Sequence, residues 1–565
     1  MNKYIRKLSL LLLFFFINLN ILSINYTYSS NQEKDRLTEK ILNSENKLHE
    51  SINWKKYINK INQLLINIEE INNLNKIIKI NLKIENYIKL FINKQDIKSK
   101  KLVLILNYLN NKINLIEYNL NIKNNLVLNK NLQYKSPYLE SIKIPTCDKN
   151  NSEVQFINNN SDWSHINDIN KTIFCVSPGD YSNIWNIKLT ENGTDSKKRY
   201  IILNNWNNKN PWLLDISNLA KVSFILENTN YWVIDRMWYR ESPNVWNPIK
   251  IKNSDYNIIN RYYMKNVWNG IYIYPGSDNN TIQNSLIKRD NITIYNDRAA
   301  IGLFDNAESN IEIKNTKIIN NTIINFVDWF QAIRMSTKNI NYEWTIVDNN
   351  LIYINNIIYT NCKWEHDINW SCAYAENAID IKAGSNKSNN PMIISNNTVY
   401  WFKKSDKTNS YLDDPWAAIV VHFGVNNINI TNNNIYNSDV WLSVDWLIDW
   451  DYAMLNSVIS NNIFSNIKAQ VIRIWRSKNI ILYNNLLQNM KKLADNWKYW
   501  LLEYKNQNMS IKNNKFCNLD NRTAFFWDNA KDISIYSNNV FFNTNPWNIN
   551  YNNSNIIKTD TICNF

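Results

Sequence analysis

Glycine is nearly missing from this chain. Its 565 residues include 7 Gly, where ordinary usage near 7% would place roughly 40. No Walker-type phosphate loop occurs, and no nucleic-acid motif or Arg-rich patch, so nucleic acid is the least expected partner. There are 4 His and no CxxC, which excludes a zinc site of ordinary spacing. Proline and glycine are both absent from residues 31–135. Beyond the first 25 residues no apolar run is long enough to span a membrane.

What is present begins with a leader. Residues 1–25 carry Lys3, Arg6 and Lys7, then LSLLLLFFFINLNILSI, and turn polar near Tyr28. That is the layout of a secretory signal peptide or, if uncleaved, an N-terminal membrane anchor. Either way the remainder is expected outside the cell, secreted or at the cell surface. Over 31–135, Ile58, Ile61, Leu65 and Ile68, then Leu74, Ile77 and Ile78, recur at helical spacing. This predicts a helical hairpin or coiled coil, serving as a cap on the rest of the chain or as an attachment or oligomerisation stalk.

From about residue 250 one phrase returns: NNTIQNSLI at 279–287, WTIVDNNLI at 344–352, NNINITNNNI at 426–435, KNIILYNNLL at 478–487. Each is an alternating Ile/Val run closed by Asn. Alternation puts the apolar side chains on one face of a strand. Asn tolerates the left-handed backbone of a tight corner and can stack on Asn from coil to coil. Copies spaced by roughly 23 to 46 residues, with no helix between them, predict a solenoid. The fold expected is an all-β right-handed parallel β-helix over 145–565, with an α-helical N-terminal extension.

Against that fold the 23 Trp are out of place. Trp212, Trp268, Trp344, Trp441 and Trp527 stand where glycine is expected, and Trp resists the positive φ that glycine supplies. Gly and Trp together approach an ordinary glycine count. One reading is a gene whose UGA codons mean glycine but were translated as Trp; the other is a Trp-rich surface that stacks on sugars. The six cysteines, Cys147, Cys175, Cys362, Cys372, Cys517 and Cys563, suit disulfides in an exported chain. Proximity in sequence pairs them in that order.

Residues 174–203, FCVSPGDYSNIWNIKLTENGTDSKKRYIIL, supply two turns, each followed by a strand. This stretch, with the Asn-closed coils after it, resembles secreted right-handed β-helix proteins of the pectate-lyase-like kind. The resemblance covers about 145–565. It implies the fold, while activity stays open, because the fold hosts lyases, hydrolases, epimerases and adhesins.

Aligning the strands before each Asn phrase yields two outward columns. One carries Tyr272, Arg334, Asp380, Val420, Ser443 and Arg473; the other carries Tyr274, Ser336, Lys382, His422 and Asp445. Asp380, Lys382 and His422 are therefore expected in one patch, as candidate catalytic residues. The Asp-x-Lys of AIDIKAG is similar to a stretch in β-helix polysaccharide lyases. Arg334, Arg473, Tyr272 and Tyr274 are candidates for binding substrate. Glu376, Asp380 and Asp445 could ligate Ca²⁺, which takes carboxylate oxygens. Such a patch could abstract a proton beside a uronate carboxylate, with Lys382 or His422 as base and the other as acid. The expected partner is an acidic polysaccharide or cell-surface glycan, in keeping with a formal net charge of +14. Two alternatives stay open: a ladder that only solvates the sheet, and a non-catalytic adhesin that binds glycan.

Overall fold

The chain divides into two units, 1–133 and 134–565. The computed structural model describes residues 136–556 except 185, 205–219, 241–247, 268, 290–297, 305–311, 327–329, 337–340, 355–376, 403–416, 423, 439, 445–451, 468–469, 491–498, 503–505, 518–522, 527–531 and 543–554. The leader and the expected helices of 31–135 lie outside the described residues.

In the second unit each strand pairs in parallel with the strand one coil later, as Ile346–Asp348 does with Met392–Ser395. Three sheets result. Sheet A has 15 strands, sheet B has 14 and sheet C has 12, among the described residues. The chain visits them in rotation. Ile346–Asp348 lies in A, Leu351–Tyr353 in B and Ile379–Ile381 in C, and Met392–Ser395 is back in A. This is a parallel β-helix, as the recurring phrase predicts.

Each coil forms for the reason its sequence states. In Ile428–Thr431 the burial alternates, with Ile428 and Ile430 fully enclosed. Burying an isoleucine contributes about 1.5–3 kcal/mol. One hydrophobic cluster runs the length of the cylinder, from Ile157 to Phe541. A 3₁₀ turn, Asn160–His165, packs at its first coil and buries Trp163.

The Asn pairs divide the corner between sheets A and B into two tasks. The first Asn takes the left-handed backbone: φ is 55° at Asn349, 54° at Asn396 and 56° at Asn432. The second is buried. Asn350 Oδ1 accepts the Asn321 N–H at 2.9 Å, and Asn350 Nδ2 donates to Ile318 O at 2.8 Å. Asn397, Asn433, Asn462, Asn485, Asn514 and Asn539 repeat this, each Oδ1 taking the N–H of the Asn one coil earlier. The ladder satisfies main-chain groups that a corner would otherwise strand in the core.

An extended strap crosses the outside of sheet A. Cys175, Ile202, Asp235, Asn260, Gln283, Ile319 and Asp348 occupy one register position on successive coils. Cys147 is disulfide-bonded to Cys175, and Ile144 packs beside it. Farther along, Glu140 N–H donates to Gln283 Oε1 at 3.0 Å, and Gln283 Nε2 returns a bond to Glu140 O at 3.1 Å. Lys317 pairs with the Glu140 carboxylate. Tyr138 feels Asp348: burial first, then that carboxylate, pushes its hydroxyl pKa up. Six coil steps at about 4.8 Å match nine extended residues at about 3.3 Å each. Beneath the strap Asp235 is fully buried, held by Arg261 through two bonds of 2.7 Å and by Asn260 at 2.6 Å. Cys517 is also disulfide-bonded; Cys362, Cys372 and Cys563 lie outside the described residues.

Candidate functional site

Strand Ile379–Ile381 in sheet C encloses Ile379 and Ile381 and turns Asp380 to the outer face. The neighbouring strands align Tyr272, Gly302, Arg334, Asp380, Val420, Ser443 and Arg473 on consecutive coils. This is the first column read from the sequence, with Gly302 added between Tyr272 and Arg334. Pairing continues one residue past the strand, because the His422 N–H donates to Ile381 O at 2.9 Å. That bond sets His422 beside Lys382 on the next coil.

Three of the expected residues meet. His422 Nε2 lies 2.8 Å from Asp380 Oδ1, and Lys382 Nζ lies 3.2 Å from Asp380 Oδ2. Asp380 is 1% exposed, whereas the side chains of Lys382 and His422 are 19% and 14% exposed. The carboxylate is thus the buried hub, and Lys382 and His422 are partly exposed beside it, with the His422 Nδ1 atom enclosed. Two charge-assisted contacts replace the water that Asp380 gives up.

The other candidates are placed by register. Arg334 is on the coil next to Asp380. Arg473 and Tyr272 are each three coils away, on opposite sides, about 14 Å by coil spacing. Tyr272 is 5% exposed. Its hydroxyl donates to Asn269 Oδ1 at 3.0 Å and accepts the Ala299 N–H at 3.3 Å. Its ring lies so close to Gly302 that an added Cβ would stand 3.1 Å from it. Tyr274 is half-buried, 6.4 Å from Tyr272 between ring centres. Trp475, whose main-chain N–H donates to Val444 O at 2.9 Å, takes the position two coils beyond His422 in the second column. The alternation in VIRIWR carried that signal.

Glu376 and Asp445 lie outside the described residues. Asp380 does not suit a calcium ligand here, since its oxygens face two nitrogen donors that would compete with a cation. Among the described residues no group of three or more His, Cys, Asp or Glu is arranged to hold a metal. The long stretches 355–376 and 403–416 both join sheet B to sheet C, before strand Ile379–Ile381, which bears Asp380, and strand Ala417–Val421, which ends beside His422.

No protein-family model matches the sequence, and no curated protein does. Several solved structures are similar at low identity. An alginate lyase from Paenibacillus sp. str. FPU-7 is 13% identical over 69% of this chain and 99% of its own, with a TM-score of 0.33. A mannuronan C-5 epimerase module from Azotobacter vinelandii is 10% identical over 68% and 89%, with a TM-score of 0.34. A lacto-N-biosidase from Eubacterium ramulus is 10% identical over 80% and 74%, with a TM-score of 0.35. Likeness at this level carries no argument about chemistry, and the fold stands on the strand register itself.

Proposed function

We propose that this chain is an exported carbohydrate-active β-helix protein, a lyase that cleaves an acidic, uronate-containing polysaccharide by β-elimination. The observation that carries the reading is the buried Asp380 holding Lys382 and His422 side by side at the surface of sheet C. In the proposed step a cation neutralises the sugar carboxylate and so acidifies the C5 proton. Arg334, on the adjacent coil, is assigned that role, with Arg473 holding a carboxylate farther along. Lys382 or His422 takes the C5 proton. The released electron pair forms the C4–C5 double bond, the C4–O4 bond breaks, and the other base returns a proton to O4. Asp380, shielded from solvent, is a positioning residue. No step is routed through calcium.

The test is incubation of the recombinant protein with alginate, pectate and glycosaminoglycans, with and without calcium. The expected outcome is the absorbance of unsaturated uronates, lost in both Lys382→Ala and His422→Ala. Silence on every polymer, together with retention of one of them on an affinity gel, would replace the lyase by a non-catalytic glycan-binding protein.

A further inference from the structure

The tryptophans singled out in the sequence are left unexplained by this chemistry. Trp344 and Trp441 fall among the described residues; Trp212, Trp268 and Trp527 do not. We propose that Trp344, Trp401 and Trp441 stand where the protein made in its own cell carries glycine, the codon at each being read as glycine there.

Trp441 is the sharpest case. Register aligns it with Gly270, Ala300, Ala378 and Ala418, of which the three alanines belong, like Trp441, to the enclosed core. All four of those residues are Gly or Ala. At Gly270 an added Cβ would come within 2.0 Å of Ala300 O. Trp441 is nevertheless fully buried, with its ring stacked 5.0 Å from Phe464. Its indole Nε1 is enclosed without a hydrogen-bond partner, a loss that buried Trp usually avoids.

The other two adopt a backbone that glycine adopts freely. Trp344 has φ 53° and Trp401 has φ 66°. In the register position of Trp344, Asn279, Asn315, Asn427, Asn456, Asn479 and Asn508 share that conformation, and so do Tyr231 and Tyr256 at the start of the column. Around Trp401 the equivalents are Asn325, Asn437, Asn466 and Asn489. Short amide side chains tolerate this region, which bulky residues enter rarely; Tyr231 and Tyr256 do so with their rings stacked 4.8 Å apart. Trp344 is also 41% exposed, so packing does not offset the strain.

Not every tryptophan belongs to the set. Trp232 is fully buried, and its Nε1 donates to Glu191 O at 2.7 Å and to Thr229 Oγ1 at 3.0 Å. Its ring stacks on Phe174 and lies under the Arg199 guanidinium. That pocket is built for an indole.

The two classes respond with opposite signs to one substitution. In the full-length protein, Trp441→Gly is expected to raise the thermal unfolding midpoint by several degrees, as the Ala column closes. Trp232→Gly should lower it, because a matched cavity is left behind. Peptide masses from the protein isolated from its native cells should show Gly at 344, 401 and 441, and Trp at 232. Trp masses at the three positions would overturn the proposal, as would a Trp441→Gly midpoint that falls alongside Trp232→Gly.

Discussion

Asp380 has exchanged its hydration for His422 Nε2 and Lys382 Nζ, so its contribution is to aim its neighbours. Asp380→Asn keeps the shape and removes the charge that both nitrogens face. The expected result is a folded protein, destabilised by about 1–3 kcal/mol, whose turnover on the responsive polymer falls about a hundredfold or more. Chemical denaturation and initial rates measure the two effects separately. An unchanged rate would mean that the carboxylate is only a rung of the outer face. How much of this was legible beforehand depends on the period of a strand. A one-residue slip would move every side chain to the other face, so alternation alone could group Asp380, Lys382 and His422. It could not foresee which of the three is buried. Nor could it show that the Tyr272 ring rests on Gly302, because depth and ring orientation depend on segments distant in sequence.

At the scale of the corner, the paired asparagines predict two unlike mutants from identical residues. Asn350 is buried, and its amide serves main-chain groups on other coils; Asn350→Ala should cost about 1–3 kcal/mol. Its neighbour Asn349 holds φ 55°, so Asn349→Gly should be neutral or slightly stabilising, since glycine enters that region without a Cβ penalty. Urea midpoints of the two variants provide the comparison; equal losses would contradict the division of tasks. The corners were readable as Asn positions from the phrase itself. Which Asn turns and which one bonds was not, since both carry the same side chain and only the coil above distinguishes them.

For the whole molecule the strap matters most, and of it the sequence announced only the Cys147–Cys175 pairing. Residues 138–147 have no strand period of their own, and their partners are residues such as Cys175 and Gln283, far along the chain. The Cys147–Cys175 bond closes a loop with a sequence separation of 28, worth about 3–4 kcal/mol on a chain-entropy estimate. Cys147→Ser is expected to lower stability by up to that amount. It should also speed amide exchange over 136–146 while leaving the Asn corners of the distal coils protected. Exchange that accelerates along the entire cylinder would contradict a local clasp. The course of the strap also governs how the cylinder meets tension. Tyr138 lies near Asp348, six coil steps from Cys175, so a load on residue 136 runs through the strap before it reaches the first coils. Such a load meets the Glu140 contacts with Gln283 and Lys317 first, and beyond them the Cys147–Cys175 bond passes it to strand Ile173–Val176, sparing residues 148–174.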